Sequence, residues 1–122
     1  MAIVNGYLID PEARTVTQVN VDVKDGSCID DIYRHLGVDC FDCARFNRHG
    51  DAVFVDDEGL MKDPEYFFAV EGYPSKLAGR GLVLGCDAQG ETVSPHASFD
   101  SVKRSVRFYA RCFNILVEQE AA

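Results

Sequence analysis

No stretch of this sequence stays apolar for more than five residues, and the longest such run is Tyr66–Val70. A membrane-spanning helix needs about 20 consecutive apolar residues, so a spanning helix is excluded. The apolar residues instead come in short groups rich in valine, isoleucine and aromatics, separated by Gly, Asp and Pro. That punctuation belongs to strands. With 122 residues, 47% of them hydrophobic, the chain has the material for one core and the length of one domain, residues 1–122.

Ile3–Ile9 reads as a strand, turned by Asp10-Pro11-Glu12-Ala13 into Thr15–Val23. The second segment alternates, with Thr15, Thr17, Val19, Val21 and Val23 on one parity, and the pair predicts an N-terminal hairpin. Ser27 then stands where a helix cap is expected. Ile29, Ile32, Tyr33 and Leu36 follow at i, i+3, i+4 and i+7, and Gly37 supplies a left-handed stop. Val38–Phe46 and Asp51–Val55 predict two strands joined by Asn47-Arg48-His49-Gly50. Asp63-Pro64 could open a helix, but the aromatic run Tyr66–Val70 is short and is stopped by Gly72 and Pro74, which favours a buried strand. Gly81–Cys86 reads as another strand, with Asp87–Gly90 turning it into Glu91-Thr92-Val93. After a cap at Ser98 or Asp100, the residues Phe99, Val102, Val106, Tyr109, Ala110, Phe113, Leu116 and Val117 fit one helical stripe. The expected fold class is therefore α+β: a largely antiparallel sheet of about five to seven strands, a short helix near 27–36 and a longer C-terminal helix near 98–113.

Charge is the second constraint. Twenty acids against twelve Lys and Arg give a formal charge of −8. Binding to nucleic-acid phosphates would then be repulsive instead of releasing counterions, so direct nucleic-acid binding is not expected. The acidity is uneven: residues 1–61 hold five bases and twelve acids, a charge of −7, and the rest carries −1. Asp56-Asp57-Glu58 is the densest point, with Asp51, Asp63 and Glu65 nearby. These six residues are the expected binding set, facing a partner protein with a basic surface.

The five cysteines cannot all pair. Met1–Gly6 has neither the basic start nor the apolar core of a secretory signal, so a cytoplasmic protein with reduced thiols is expected. Cys40-Phe41-Asp42-Cys43, followed by His49, is the one spacing that bears on metal or redox chemistry. It lacks the second pair that a zinc site needs, and no helix signal follows it as in a thioredoxin-type motif. Asp56-Asp57-Glu58 lacks the acid spacing of a calcium loop. No catalytic residues and no cofactor are expected, with Cys40, Cys43 and His49 as the alternative metal set. The alternative is a small-molecule or nucleotide-binding domain, monomeric or with a pocket shared in a homo-oligomer, whose anion contacts would be Lys76, Arg80 or Arg107.

Phe54-Val55-Asp56-Asp57-Glu58-Gly59-Leu60, followed by Leu77-Ala78-Gly79-Arg80-Gly81-Leu82-Val83-Leu84-Gly85, resembles a family of small uncharacterised domains of bacteria, plasmids and tailed phages. Gly6-Tyr7-Leu8-Ile9-Asp10-Pro11 and the helix carrying Ile32, Tyr33, Leu36 and Gly37 extend the likeness over most of residues 3–108. The resemblance implies a mobile-element setting and carries no established activity. The function expected from sequence is that of a small acidic phage- or plasmid-type accessory protein that binds a host protein without catalysis, with counter-defence or nucleic-acid mimicry through the acidic face as the mode such binding would take.

Overall fold

The computed structural model describes residues 2–24, 28–37, 41–56 and 58–122. The N-terminal hairpin forms as expected: β1 (Ala2–Asp10) and β2 (Thr15–Val23) pair antiparallel from Ala2↔Val23 to Asp10↔Thr15. Helix α1 (Ile29–Leu36) follows and stops at Gly37, whose φ of 69° and amide bond to the Tyr33 carbonyl make the left-handed cap. Ser27, the expected N-cap, lies outside the described residues. Next come the hairpin β3 (Phe41–Arg45) and β4 (Ala52–Asp56), a 3-10 turn at Gly59–Lys62, and β5 (Tyr66–Val70). Two-residue β6 (Leu77–Ala78), β7 (Gly81–Cys86) and β8 (Thr92–Val93) lead to α2 (Phe99–Ser105), where the Ser98 hydroxyl accepts the Ser101 amide.

The chain then departs from the expected long C-terminal helix. Helix α2 ends at Ser105, and β9 (Val106–Cys112) and β10 (Ile115–Gln119) form a hairpin. The helical stripe and a strand pattern share Val106 and Ala110, and the strand pattern also explains the intervening residues. Val106 and Phe108 are buried while Arg107 between them is exposed, and the segment is rich in the β-branched and aromatic residues that strands favour. Pairing with β5, from Tyr66↔Ala110 to Val70↔Val106, supplies the partner that a single-sequence pattern cannot show.

The strands build two antiparallel sheets rather than one. Among the described residues the first has six strands, in the order β2-β1-β7-β4-β3 with β8 beside β7, and the second has four, in the order β10-β9-β5-β6. Between them lies a core of Ile9, Val53, Phe68, Val83, Val102 and Phe108, among others. On the opposite face of the six-stranded sheet, α1 packs Ile32 and Leu36 onto Val21, Leu82 and Leu84. Covered on both faces, β7 is buried from Gly81 to Gly85. Gly81 is required at a close approach: a Cβ there would stand 2.5 Å from the Phe68 ring, which crosses from the second sheet. No helix among the described residues is long and apolar enough to cross a membrane.

Candidate functional site

Strand β4 has an aspartate at each end, and the two occupy different environments. Asp51, just before the strand, is fully buried. Its Oδ1 accepts the His96 amide (2.8 Å), and its Oδ2 accepts the Ala97 amide (2.9 Å) and the Asn47 side-chain amide (2.9 Å). Asn47 Oδ1 in return accepts the Asp51 and His49 amides, at 3.1 and 3.0 Å. The Tyr7 hydroxyl donates to the Ala97 carbonyl (2.9 Å). Burial, and secondarily the Asp51 charge, pushes the Tyr7 phenol above its usual range, so it stays a donor. Asp51 is thus the hub that fastens residues 96–97 to the β3–β4 hairpin. It is out of reach of any partner surface.

Asp56 closes the other end. Its Oδ1 accepts the Glu58 amide (3.0 Å) and starts the turn, and its Oδ2 accepts Lys62 Nζ (2.8 Å) from the 3-10 turn that follows. Gly59 lets this turn lie against β6, since a Cβ there would be 3.3 Å from both the Ala78 side chain and the Ala78 carbonyl. Gly79, at φ +77°, donates to the Tyr66 carbonyl (3.1 Å) and leads into Arg80. Arg80 Nε then lies 3.7 Å from Asp10 Oδ2. Asp10 repeats the Asp56 arrangement, since its Oδ1 accepts the Glu12 and Ala13 amides at 3.1 and 3.2 Å. Two aspartates therefore each spend one oxygen on a turn and present the other to a cation.

Between these two turns opens a cleft of about 310 Å³. Pro11, Leu36, Pro64, Tyr66 and Ala78 give it apolar walls. Its charged lining is Asp10, Glu12, Asp56 and Glu65 against Lys62 and Arg80, a net charge of −2. Lys62 and Arg80 have half-exposed side chains paired to Asp56 and Asp10, whereas Glu12 and Glu65 are exposed and take part in no ion pair recorded among the described residues. An ammonium or guanidinium group entering the cleft meets surplus carboxylate, an aromatic ring and aliphatic walls.

Of the six acidic residues expected to act together, the cleft contains Asp56 and Glu65. Glu58 is exposed on the turn beside it, and Asp63 is exposed and ion-paired with Arg111. Asp57 lies outside the described residues. Asp10, Glu12, Lys62 and Tyr66 were missed as site residues. Asp10-Pro11-Glu12 reads locally as a turn, and only the β1–β7 pairing (Ile9↔Gly81) brings it beside Arg80. Among the expected anion contacts Arg80 lines the cleft. Lys76 sits over the Tyr109 ring, 4.7 Å from its centroid, and Arg107 donates to the Arg104 and Val106 carbonyls.

Cys40 lies outside the described residues, Cys43 is exposed on β3, and His49 is exposed in the β3–β4 turn. Cys28, Cys43, Cys86 and Cys112 are free thiols. Among the described residues, no three His, Cys, Asp or Glu side chains gather closely enough to hold a metal ion.

A family described as a domain of unknown function, DUF3846, matches residues 4–107. The chain belongs to the DUF3846 family. It is also similar to the uncharacterized protein y4iR of Sinorhizobium fredii (strain NBRC 101917 / NGR234), 34% identical over 92 residues. That match covers 75% of this chain and 53% of the relative, so the chain spans about half of that protein's length. No solved structure shows significant similarity. Every residue lining the cleft falls inside the DUF3846 span, while β10 falls after it.

Proposed function

We propose that this DUF3846 domain is a non-enzymatic binding module whose cleft between the Asp10 and Asp56 turns receives a basic side chain of a protein partner. The observation that carries the reading is convergence. The four segments on which the family likeness rests supply Asp10-Pro11, Leu36, Asp56 with Gly59, and Ala78-Gly79-Arg80 to one cleft of net negative charge. The surplus carboxylates speed the approach of a basic partner, and the apolar walls accommodate the methylene stem of Lys or Arg. The setting is that of a phage- or plasmid-type accessory protein acting in the cytoplasm on a host protein.

Calorimetric titration with a short arginine-containing peptide amide tests this reading. Saturable binding is expected, with at least a tenfold loss in Glu12→Lys/Glu65→Lys. Equal binding by the double variant, or none by the native chain, overturns it. A second reading, a small anionic ligand, is favoured by the half-exposed Lys62 and Arg80 side chains on facing walls. It predicts that nucleotides raise the melting temperature and that the same Glu→Lys changes strengthen binding, the opposite sign.

A further inference from the structure

Among the described residues, the strand orders end in β2 and β3 in one sheet and in β10 and β6 in the other, with two-residue β8 beside β7, and the β2, β3 and β6 edges are blunted. On β2, the Asp22 amide is taken by Asp31 Oδ2 (2.6 Å) and the Asn20 carbonyl lies 3.0 Å from His35 Nε2, both side chains coming from α1. On β3, Asp42 caps the Cys43 amide (2.8 Å), and Arg45 is exposed. β6 has only two residues. These are common means by which proteins prevent an edge from pairing with another chain.

β10 is different. Phe113, Ile115 and Val117 are 93%, 64% and 40% exposed, and the strand carries no proline and no charge before Glu118. Cys112 and Ile115 flank a two-residue turn, with Phe113 at φ 58° as its first residue. In such a hairpin the flanking residues form a hydrogen-bonded pair. Ile115 and Val117 therefore direct their amides and carbonyls to β9, and Leu116 and Glu118 direct theirs to the open edge. The Gln119 side chain bonds the Val117 carbonyl (3.2 Å), a group already turned inward.

We infer that this edge pairs with the same edge of a second copy, antiparallel about a two-fold axis at Leu116, joining two four-stranded sheets into one of eight. The segment is self-complementary in that register. Leu116 faces its own symmetry mate and exchanges both main-chain bonds with it. Ile115 faces Val117 of the other copy twice over, a favourable β-branched cross-strand pair. The ladder ends where the β9–β10 turn begins, so Glu118 comes opposite the neutral turn residue Asn114 of the other copy. No like charges oppose each other within the paired segment, so the edge adds no local repulsion to that between two chains of charge −8.

Sedimentation velocity of the full chain from about 1 to 300 μM tests the inference. Reversible dimerisation is expected in the native chain. Ile115→Lys and Val117→Glu should each weaken it at least tenfold, because each sets a charge against an aliphatic side chain. The double variant Ile115→Lys/Val117→Glu should restore it, since the ammonium then faces the carboxylate of the other copy twice. Circular dichroism melts establish that each variant is folded, and Leu116→Lys replaces any that is not. A native chain that stays monomeric overturns the inference, as does a dimer unaffected by the single changes. Single changes that dissociate the dimer without rescue in the double variant overturn the register at Leu116.

Discussion

Asp51 and Asp56 stand five residues apart at the two ends of β4, and identical chemistry serves opposite purposes there. Asp51 is fully buried with every described hydrogen bond internal; Asp56 is partly open, holding a turn with one oxygen and a lysine at the cleft with the other. Acidity counted along a sequence is therefore not acidity on a surface. A carboxylate surrounded by main-chain amides is a structural fastener, whereas one at a strand end beside a cavity can shape recognition.

Breaking the buried end should have the largest effect. Asp51→Ala leaves the His96 and Ala97 amides and the Asn47 side chain without their acceptor. Unpaired buried polar groups are costly, so a loss of about 3–5 kcal/mol is expected in urea unfolding. Gly85→Ala attacks the same hub from β7, since a Cβ there would lie 2.6 Å from the Ser94 carbonyl and 3.1 Å from Asp51 Oδ1. About 2 kcal/mol is expected, within the usual range for overpacking. Asp56→Ala removes one turn bond and one partly exposed ion pair, worth about 1 kcal/mol. If it costs as much as Asp51→Ala, the contrast between the two ends fails. Glu65→Lys should change stability by under about 0.5 kcal/mol while reducing capture of the arginine peptide, which separates recognition from folding.

Asp31 sharpens the comparison through pH. The Asp22 amide holds its carboxyl below the usual range against the opposing effect of burial, and the Arg34 guanidinium adds to the lowering. A lowered folded pKa means stability that is fully present above the unfolded value of about 3.9 and lost as the pH falls through the folded value. Asp31→Asn should therefore lower the melting temperature at neutral pH, with the gap to the native chain closing in stronger acid. A gap that widens below pH 4 would exclude this role.

Local signals were legible in proportion to how much of their cause lies nearby. The β1–β2 hairpin, α1 with its Gly37 stop, the β3–β4 hairpin and β7 all follow from alternation, helical spacing and turn residues. The C-terminal helix failed because Val106 and Ala110 fit both a 3.6-residue and a two-residue period, and the deciding contact, β5, lies 40 residues upstream. The split into two sheets was hidden for the same reason: strand patterns do not say which strands pair. In the site, the Asp56 turn was found from its charge and its family-like residues. Asp10 and Arg80 join it only because β7 pairs with both β1 and β4. Asp51 was misplaced because no local signal distinguishes a solvated aspartate from one that collects amides 45 residues away.

Beyond β10 the chain returns to the first turn: the Ala122 amide donates to the Arg14 carbonyl, and the Arg14 guanidinium donates to the Glu120 carbonyl (3.2 Å). Arg14 is two residues from Glu12 on the cleft rim, whereas Ala2 lies at the far end of a nine-residue strand, about 30 Å away. A reporter or affinity handle attached after Ala122 would thus emerge beside the cleft and compete with whatever docks there, while one attached before Ala2 would leave it clear.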